Sequence, residues 1–166
     1  MTPPDVLDAP SSSLRDAAAA SRVCVVSLGG ELFALRVASV REVVVFEDVT
    51  AVPLAPPHVV GAANLRGEVV PIVDARPLLG LPGGRARRHR TIVVTAADLE
   101  VALVIDTVIS LEALGQILPV DGAASPRHAH WAEGYVRRDN RLVPLLDVAP
   151  LLDALRPAAA STAPER

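Results

Sequence analysis

The feature that most constrains this chain is an internal repeat. The stretch 61–81, GAANLRGEVVPIVDARPLLGL, lies over 134–155, GYVRRDNRLVPLLDVAPLLDAL, without a gap. Gly61 falls on Gly134, Val70 on Val143, Pro71 on Pro144, Asp74 on Asp147, and Pro77-Leu78-Leu79 on Pro150-Leu151-Leu152. The openings agree as well: Val25-Val26-Ser27 with Ala34-Leu35 matches Val93-Val94-Thr95 with Ala102-Leu103 in one register. Two copies are too few for a solenoid, whose units stack to bury their faces. The chain is therefore expected to form two similar β-rich halves closing on one another.

Each copy reads as a hairpin followed by a short helical turn. In the first, the arms flank a polar tip, Asn64-Leu65-Arg66-Gly67, in which Gly67 supplies the positive φ of a tight turn. Its counterpart Asn140 tolerates the same conformation. The second arm, Val69-Val70-Pro71-Ile72-Val73, is nearly continuous apolar, as in a strand buried on both faces or in a small barrel. Asp74 then reads as an N-cap, with Pro77 in the first turn and Gly80 closing it. Asp147 sits in the same context, which favours capping over catalysis for both.

Along the rest of the chain, strands are expected at 22–28 and 31–37 around a Gly29-Gly30 turn, then a helical turn at 38–43 and a strand over 43–46. A Pro-rich bend follows at Pro56-Pro57. The segment 82–90, with Pro82-Gly83-Gly84 and a basic run, reads as a hinge between the halves. Strands follow at 91–95 and 100–105; 106–120 suits either irregular strand or a short helix, and 121–130 reads as a loop. The expected organisation is a disordered tail at 1–21, with a frayed helical turn over 14–20, one domain at 22–156, and a disordered tail at 157–166.

Composition narrows the function. Apolar residues make up 51% of the chain but aromatics only 2%, so a core must be built from Val, Leu, Ile and Ala. A formal charge of −3 advertises neither nucleic acid nor an anionic membrane. Cys24 is alone within an apparent strand, so no disulfide framework is possible and the thiol reads as buried filler. No signal-peptide pattern opens the sequence, and apolar runs stop well short of the ~20 residues of a spanning helix, so a soluble, cytoplasmic protein is expected.

No catalytic constellation emerges. There is no G-x-S-x-G, Walker or G-x-G-x-x-G motif, and Gly83-Gly84 lacks the strand-to-helix frame of a phosphate cradle. His128 and His130 could ligate a metal, but no further ligand stands at a recognised spacing, and they read as solvated loop residues. The run 85–90, without interleaved aromatics, reads as a charged loop more readily than as a phosphate grip. What remains is surface. The repeat keeps its scaffold positions while its tips diverge: Arg66 faces Asp139, and Asn64 faces Arg137. Framework positions answer to packing and tip positions to a partner.

The segment Gly61…Asn64-Leu65-Arg66-Gly67…Pro71…Asp74 closely resembles the G-x-x-N-L-R-G-x-x-x-P-x-x-D segment of the CheW-type chemotaxis coupling proteins. Val40-Arg41-Glu42-Val43 is similar to that family's I/V-x-E-V/I segment, and 102–108, with Asp106, to its L-x-V-D-x-V. The closing 134–152, with Gly134, Asp147 and Leu151-Leu152, resembles that family's closing segment. Val59 stands where the family often has an aromatic, and 121–130 has no counterpart. The resemblance implies an all-β fold: two five-stranded SH3-like barrels around a shared apolar core, with short helical turns. It also implies a non-enzymatic adaptor without cofactors, bridging a chemoreceptor's cytoplasmic tip and the regulatory domain of a CheA-type histidine kinase. Other CheW-like domains in array rings are further partners; nucleic acid and direct membrane insertion are not expected. Receptor helices would dock in a groove between the barrels, with Val40 giving apolar contact and Arg66 a charge-assisted hydrogen bond. Glu42 would be either a receptor contact or a partner for Arg66, and Asn64 and Gly67 would fix the turn presenting Arg66. The alternatives are a divergent paralogue of a motility or other signalling array binding one partner only, an SH3-like nucleic-acid-binding domain using 85–90, and a small hydrolase or metal enzyme using His128 and His130.

Overall fold

The computed structural model describes residues 11–83, 89–121 and 127–156. Helix α1 (Ser11–Ala20) precedes β1 (Arg22–Leu28) and β2 (Glu31–Arg36); a single 3-10 turn, Val37–Ser39, leads into β3 (Val40–Phe46). Then come β4 (Val59–Leu65), β5 (Glu68–Val73), β6 (His89–Ala96), β7 (Leu99–Val104), β8 (Thr107–Ala113) and the two-residue β9 (Ile117–Leu118). Strands β10 (Ala132–Arg138) and β11 (Arg141–Leu146) precede α2 (Val148–Leu155). Segment 106–120, open between strand and helix in the sequence, is β8 and β9. Strand β3 begins at Val40, so the helical turn expected over 38–43 is confined to Val37–Ser39, and Val40 and Glu42 are strand residues. The lead-in expected to fray over 14–20 is the ten-residue α1, while 1–10 and 157–166 lie outside the described residues.

The strands form two curled sheets, ordered β8-β1-β2-β11-β10-β9 and β3-β6-β7-β5-β4. Neither sheet corresponds to one half of the sequence. The first joins β1 and β2 to the late strands; the second joins β3, β4 and β5 to β6 and β7. The boundary expected near 82–90 therefore does not divide the barrels, because β5 and β6 belong to the same sheet. The two halves are interlocked through parallel pairings at its centre, Ile72 with Ala102 in one sheet and Leu145 with Ala34 in the other.

This exchange explains why the central strands read as continuous apolar runs. On β6, Ile92 and Val94 face a core shared by the sheets while Val93 faces a barrel interior; on β7, Val101 and Leu103 face the shared core and Ala102 and Val104 the interior. Strand β1 divides in the same way, with Cys24, Val26 and Leu28 in the shared core and Val23 inside the other barrel. Helix α2 closes that core with Val148, Leu151, Leu152 and Leu155. Each such leucine, fully buried, contributes about 1.5–3 kcal/mol.

The repeated glycines mark where each barrel closes. After β3 the chain turns back so that Thr50 pairs with Ala62 of β4, exchanging N–H···O bonds of 2.9 and 2.8 Å. A Cβ on Gly61 would stand 2.5 Å from the Thr50 carbonyl oxygen. In the second barrel β9 crosses β10 beside Gly134, where a Cβ would stand 2.7 Å from the Leu118 carbonyl oxygen.

The repeated Asp residues differ in use. Asp74 accepts the Arg76 backbone N–H at 3.0 Å and also holds the Arg76 guanidinium, with 2.7 Å the shortest contact. The turn it opens ends in a Schellman arrangement, Leu81 N–H to Arg76 C=O at 2.9 Å and Gly80 N–H to Pro77 C=O at 3.3 Å, with Gly80 at φ +66°. Asp147 occupies the N-cap position of α2 yet makes no side-chain capping bond. Its expected capping is thus absent, and α2 is held chiefly by its buried leucines.

Candidate functional site

The first hairpin ends in a two-residue turn, because Leu65 pairs with Glu68. Both turn residues are left-handed, Arg66 at φ 53° and Gly67 at φ 90°, the geometry that matches strand twist. Gly67 takes this conformation freely, whereas Arg66 carries a steric cost of about 1 kcal/mol. The Asn64 side-chain oxygen offsets that cost locally by accepting the Gly67 N–H at 2.9 Å. In the second hairpin the left-handed residue is Asp139 (φ 51°), the equivalent of Arg66, and not Asn140 as the sequence suggested.

Arg66 is held outward. Its Nη1 and Nη2 donate to the two Glu42 oxygens at 2.8 Å each, a bidentate pair reaching from the hairpin tip to β3. The guanidinium side chain is 71% exposed and Glu42 only 19%, so the pair presents an arginine on a half-sunk carboxylate. Glu42, whose role the sequence left open, is thus the partner of Arg66. Val40 lies two residues earlier on β3, half-buried against the shared core. Structure brings Glu42 and Arg66 into contact but not Val40: it pairs with Val94 and turns to the shared core, whereas Glu42, across a shift in register, pairs with Val93. An apolar cleft of about 400 Å³ lies between the loop Val52-Pro53-Leu54, Val101 and the α2 leucines Leu152 and Leu155; none of the three site residues lines it.

The other barrel repeats the strand-to-tip bridge with different residues. Arg138 Nε donates to Glu112 of β8 at 2.7 Å, and Ser110 donates to the same carboxylate. These bonds, from Ser110 first and then Arg138, hold the Glu112 carboxyl below its ordinary value. A depressed folded-state pKa contributes stability above the unfolded value of about 4.5 and loses it as pH falls through the folded value. Thermal melts from pH 7 to pH 3 should therefore show a stability loss that Glu112→Gln makes shallower; an unaltered acid slope in that variant would contradict the assignment.

His128, expected in solvent, is buried. Its Nε2 stands 2.8 Å from Glu31, and its ring meets Phe33 edge-on at 5.0 Å. Trp131 Nε1 donates to the Leu78 carbonyl at 3.1 Å, so this connection clips the second barrel to the turn after β5. His130 is exposed and packs edge-on against Trp131. Cys24 is buried, and burial pushes its thiol up. Among the described residues no three His, Cys, Asp or Glu side chains gather as a metal site, and no helix is long and apolar enough to cross a membrane. Of the basic run, 85–88 lie outside the described residues; Arg90 donates to the Asp106 carbonyl at 3.1 Å.

Comparison with known proteins agrees with this geometry. A family model described as CheW-like domain matches residues 22–156. The chain is 30% identical over 136 residues to a probable chemotaxis protein CheW of Rhizobium etli, covering 80% of this chain and 88% of that protein. It is 25% identical to the chemotaxis protein CheW of Thermotoga maritima, covering 86% and 95%. The crystal structure of the scaffolding protein TtCheW from Thermoanaerobacter tengcongensis superposes with a TM-score of 0.69 at 25% identity, covering 79% of this chain and 86% of that one.

Proposed function

This chain belongs to the CheW-like domain family, whose members are non-enzymatic chemotaxis scaffolds, and from that premise we propose that it couples methyl-accepting chemoreceptors to a CheA-type histidine kinase. One surface would take the receptor's cytoplasmic tip and another the kinase regulatory domain. The protein would then be recruited from the cytoplasm to membrane receptor arrays, where many weak contacts add through multivalency. The exposed Arg66, fixed at a rigid hairpin tip and backed by Glu42, carries the receptor half of this proposal. Val40 would supply an apolar contact of its own on the other face of β3, while Asn64 and Gly67 shape the turn. An exposed arginine fork is the composition of an interface anchor.

A pulldown of the purified protein with a receptor cytoplasmic fragment and a kinase regulatory domain tests the coupling. Capture of both in one complex is the expected result. Capture of one partner only would replace a coupling protein with a divergent paralogue, and capture of neither would remove the proposal.

A further inference from the structure

Beside the proposed docking tip, Arg41 occupies a β-bulge. Val40 pairs with Val94 and Glu42 with Val93, leaving Arg41 as the extra residue. The second barrel has the same irregularity, since Val25 pairs with Ser110 and Val26 with Val108, and there the extra residue is Ile109. The scaffold thus requires a bulge but not an arginine. What Arg41 does with its charge is particular to this surface.

From the bulge, Arg41 reaches past β6 to β7, where its Nη1 contacts the two Glu100 oxygens at 2.7 and 2.6 Å. Glu68, next to the turn of the docking hairpin, is 3.8 Å from the same nitrogen, and Glu42 is 4.0 Å from Arg41 Nε. Glu42 therefore lies between two guanidiniums: Arg66 holds it closely, and Arg41 stands behind it, saturated by Glu100. The order Glu100, Arg41, Glu42, Arg66 is an alternating charge ladder with Arg66 at its open end. Any shift in how Arg41 is shared between Glu100 and Glu42 changes how tightly Glu42 retains Arg66.

We propose that Arg41 and Glu100 are a positioning pair that sets how free Arg66 is to bind a carboxylate of the docking partner. This rests on Arg66 being a docking residue. Removing Arg41 leaves Glu42 to Arg66 alone and leaves Glu68 and Glu100 uncompensated, which tightens the internal pair and repels an acidic partner. Removing the Glu100 charge lets Arg41 swing to Glu42 and compete for it, which releases Arg66. The two substitutions act with opposite sign, as neither a direct contact nor a packing role for Arg41 requires.

The test is isothermal titration with a purified chemoreceptor cytoplasmic fragment at low and at high salt, with thermal melts confirming that each variant folds. Arg41→Ala should weaken binding roughly three- to tenfold and Glu100→Gln strengthen it about twofold; the double variant should return to within about twofold of the parent. All three differences should shrink as salt rises. Arg66→Glu serves as the reference. Should it leave affinity unchanged, the docking site falls and the positioning pair with it. Should it abolish binding while Arg41→Ala and Glu100→Gln change nothing or move affinity in the same direction, the positioning pair alone is overturned.

Discussion

Gly61→Ala and Gly134→Ala should each destabilise the protein by about 2–4 kcal/mol, on the order of overpacking combined with lost hydrogen bonds. At Gly61 the new Cβ meets the Thr50 carbonyl oxygen at 2.5 Å and Val49 Cγ1 at 2.6 Å. The closing strand must therefore lift away, and the two bonds between Thr50 and Ala62 are lost or stretched. At Gly134 the collision is with the Leu118 backbone and with Ile117, and it pushes β9 off β10. Neither neighbour is the free end of a flexible side chain, so relaxation is costly. Gly115→Ala is the control: a Cβ there meets nothing within 4 Å, and its φ is ordinary. Denaturant melts should rank the two repeat glycines together, well below the control. Equal stability of all three variants would mean that the barrels do not close at these points.

Phe33→Ala should cost about 3–5 kcal/mol, the range for deleting a buried aromatic ring. Phe33 has no solvent exposure, lies in the core shared by both sheets and carries the edge contact to His128. The loss should appear as one cooperative transition shifted to lower denaturant. Because strands from both halves of the sequence lie in each sheet, no barrel can unfold while the other survives. Among the described residues, the shared core also holds more buried side chains than the two barrel interiors together. Leu54→Ala, by contrast, touches a fully exposed side chain and should be nearly neutral. Two separated transitions in the Phe33 variant would contradict the interlocked arrangement.

Much of the fold was legible because the repeat is carried by residues with narrow physical roles. Gly61 and Gly134 are set by backbone approach, and the apolar arms by burial on both faces. The exchange of strands between halves was not legible, since nothing local in β3 says that it pairs with β6 rather than with a strand of its own half. Asp147 shows the reverse limit: a residue of capping type at the right position that makes no cap, in a helix secured by Leu151 and Leu152. His128 was hidden by its surroundings of Ser, Pro and Ala, which read as solvent; its partners Glu31 and Phe33 are nearly a hundred residues away in the chain. At the first hairpin tip the sequence pointed to Arg66 and left Glu42 between two roles; the structure shows the ion pair between them. The ladder through Arg41 and Glu100 was beyond reach, because it depends on the order β3-β6-β7, which brings residues 59 apart together.

The docking role of the first hairpin tip is tested most directly by Arg66→Glu, measured twice: affinity for a chemoreceptor cytoplasmic fragment, and thermal unfolding of the free protein. With Arg66 71% exposed, the Arg66–Glu42 pair is worth about 1 kcal/mol to folding and the reversed charge adds a solvent-screened repulsion of similar size, so the melting temperature should fall by only several degrees while affinity drops at least about tenfold. Intact affinity, or a melting temperature that collapses along with it, would show that Arg66 serves the barrel and not a partner.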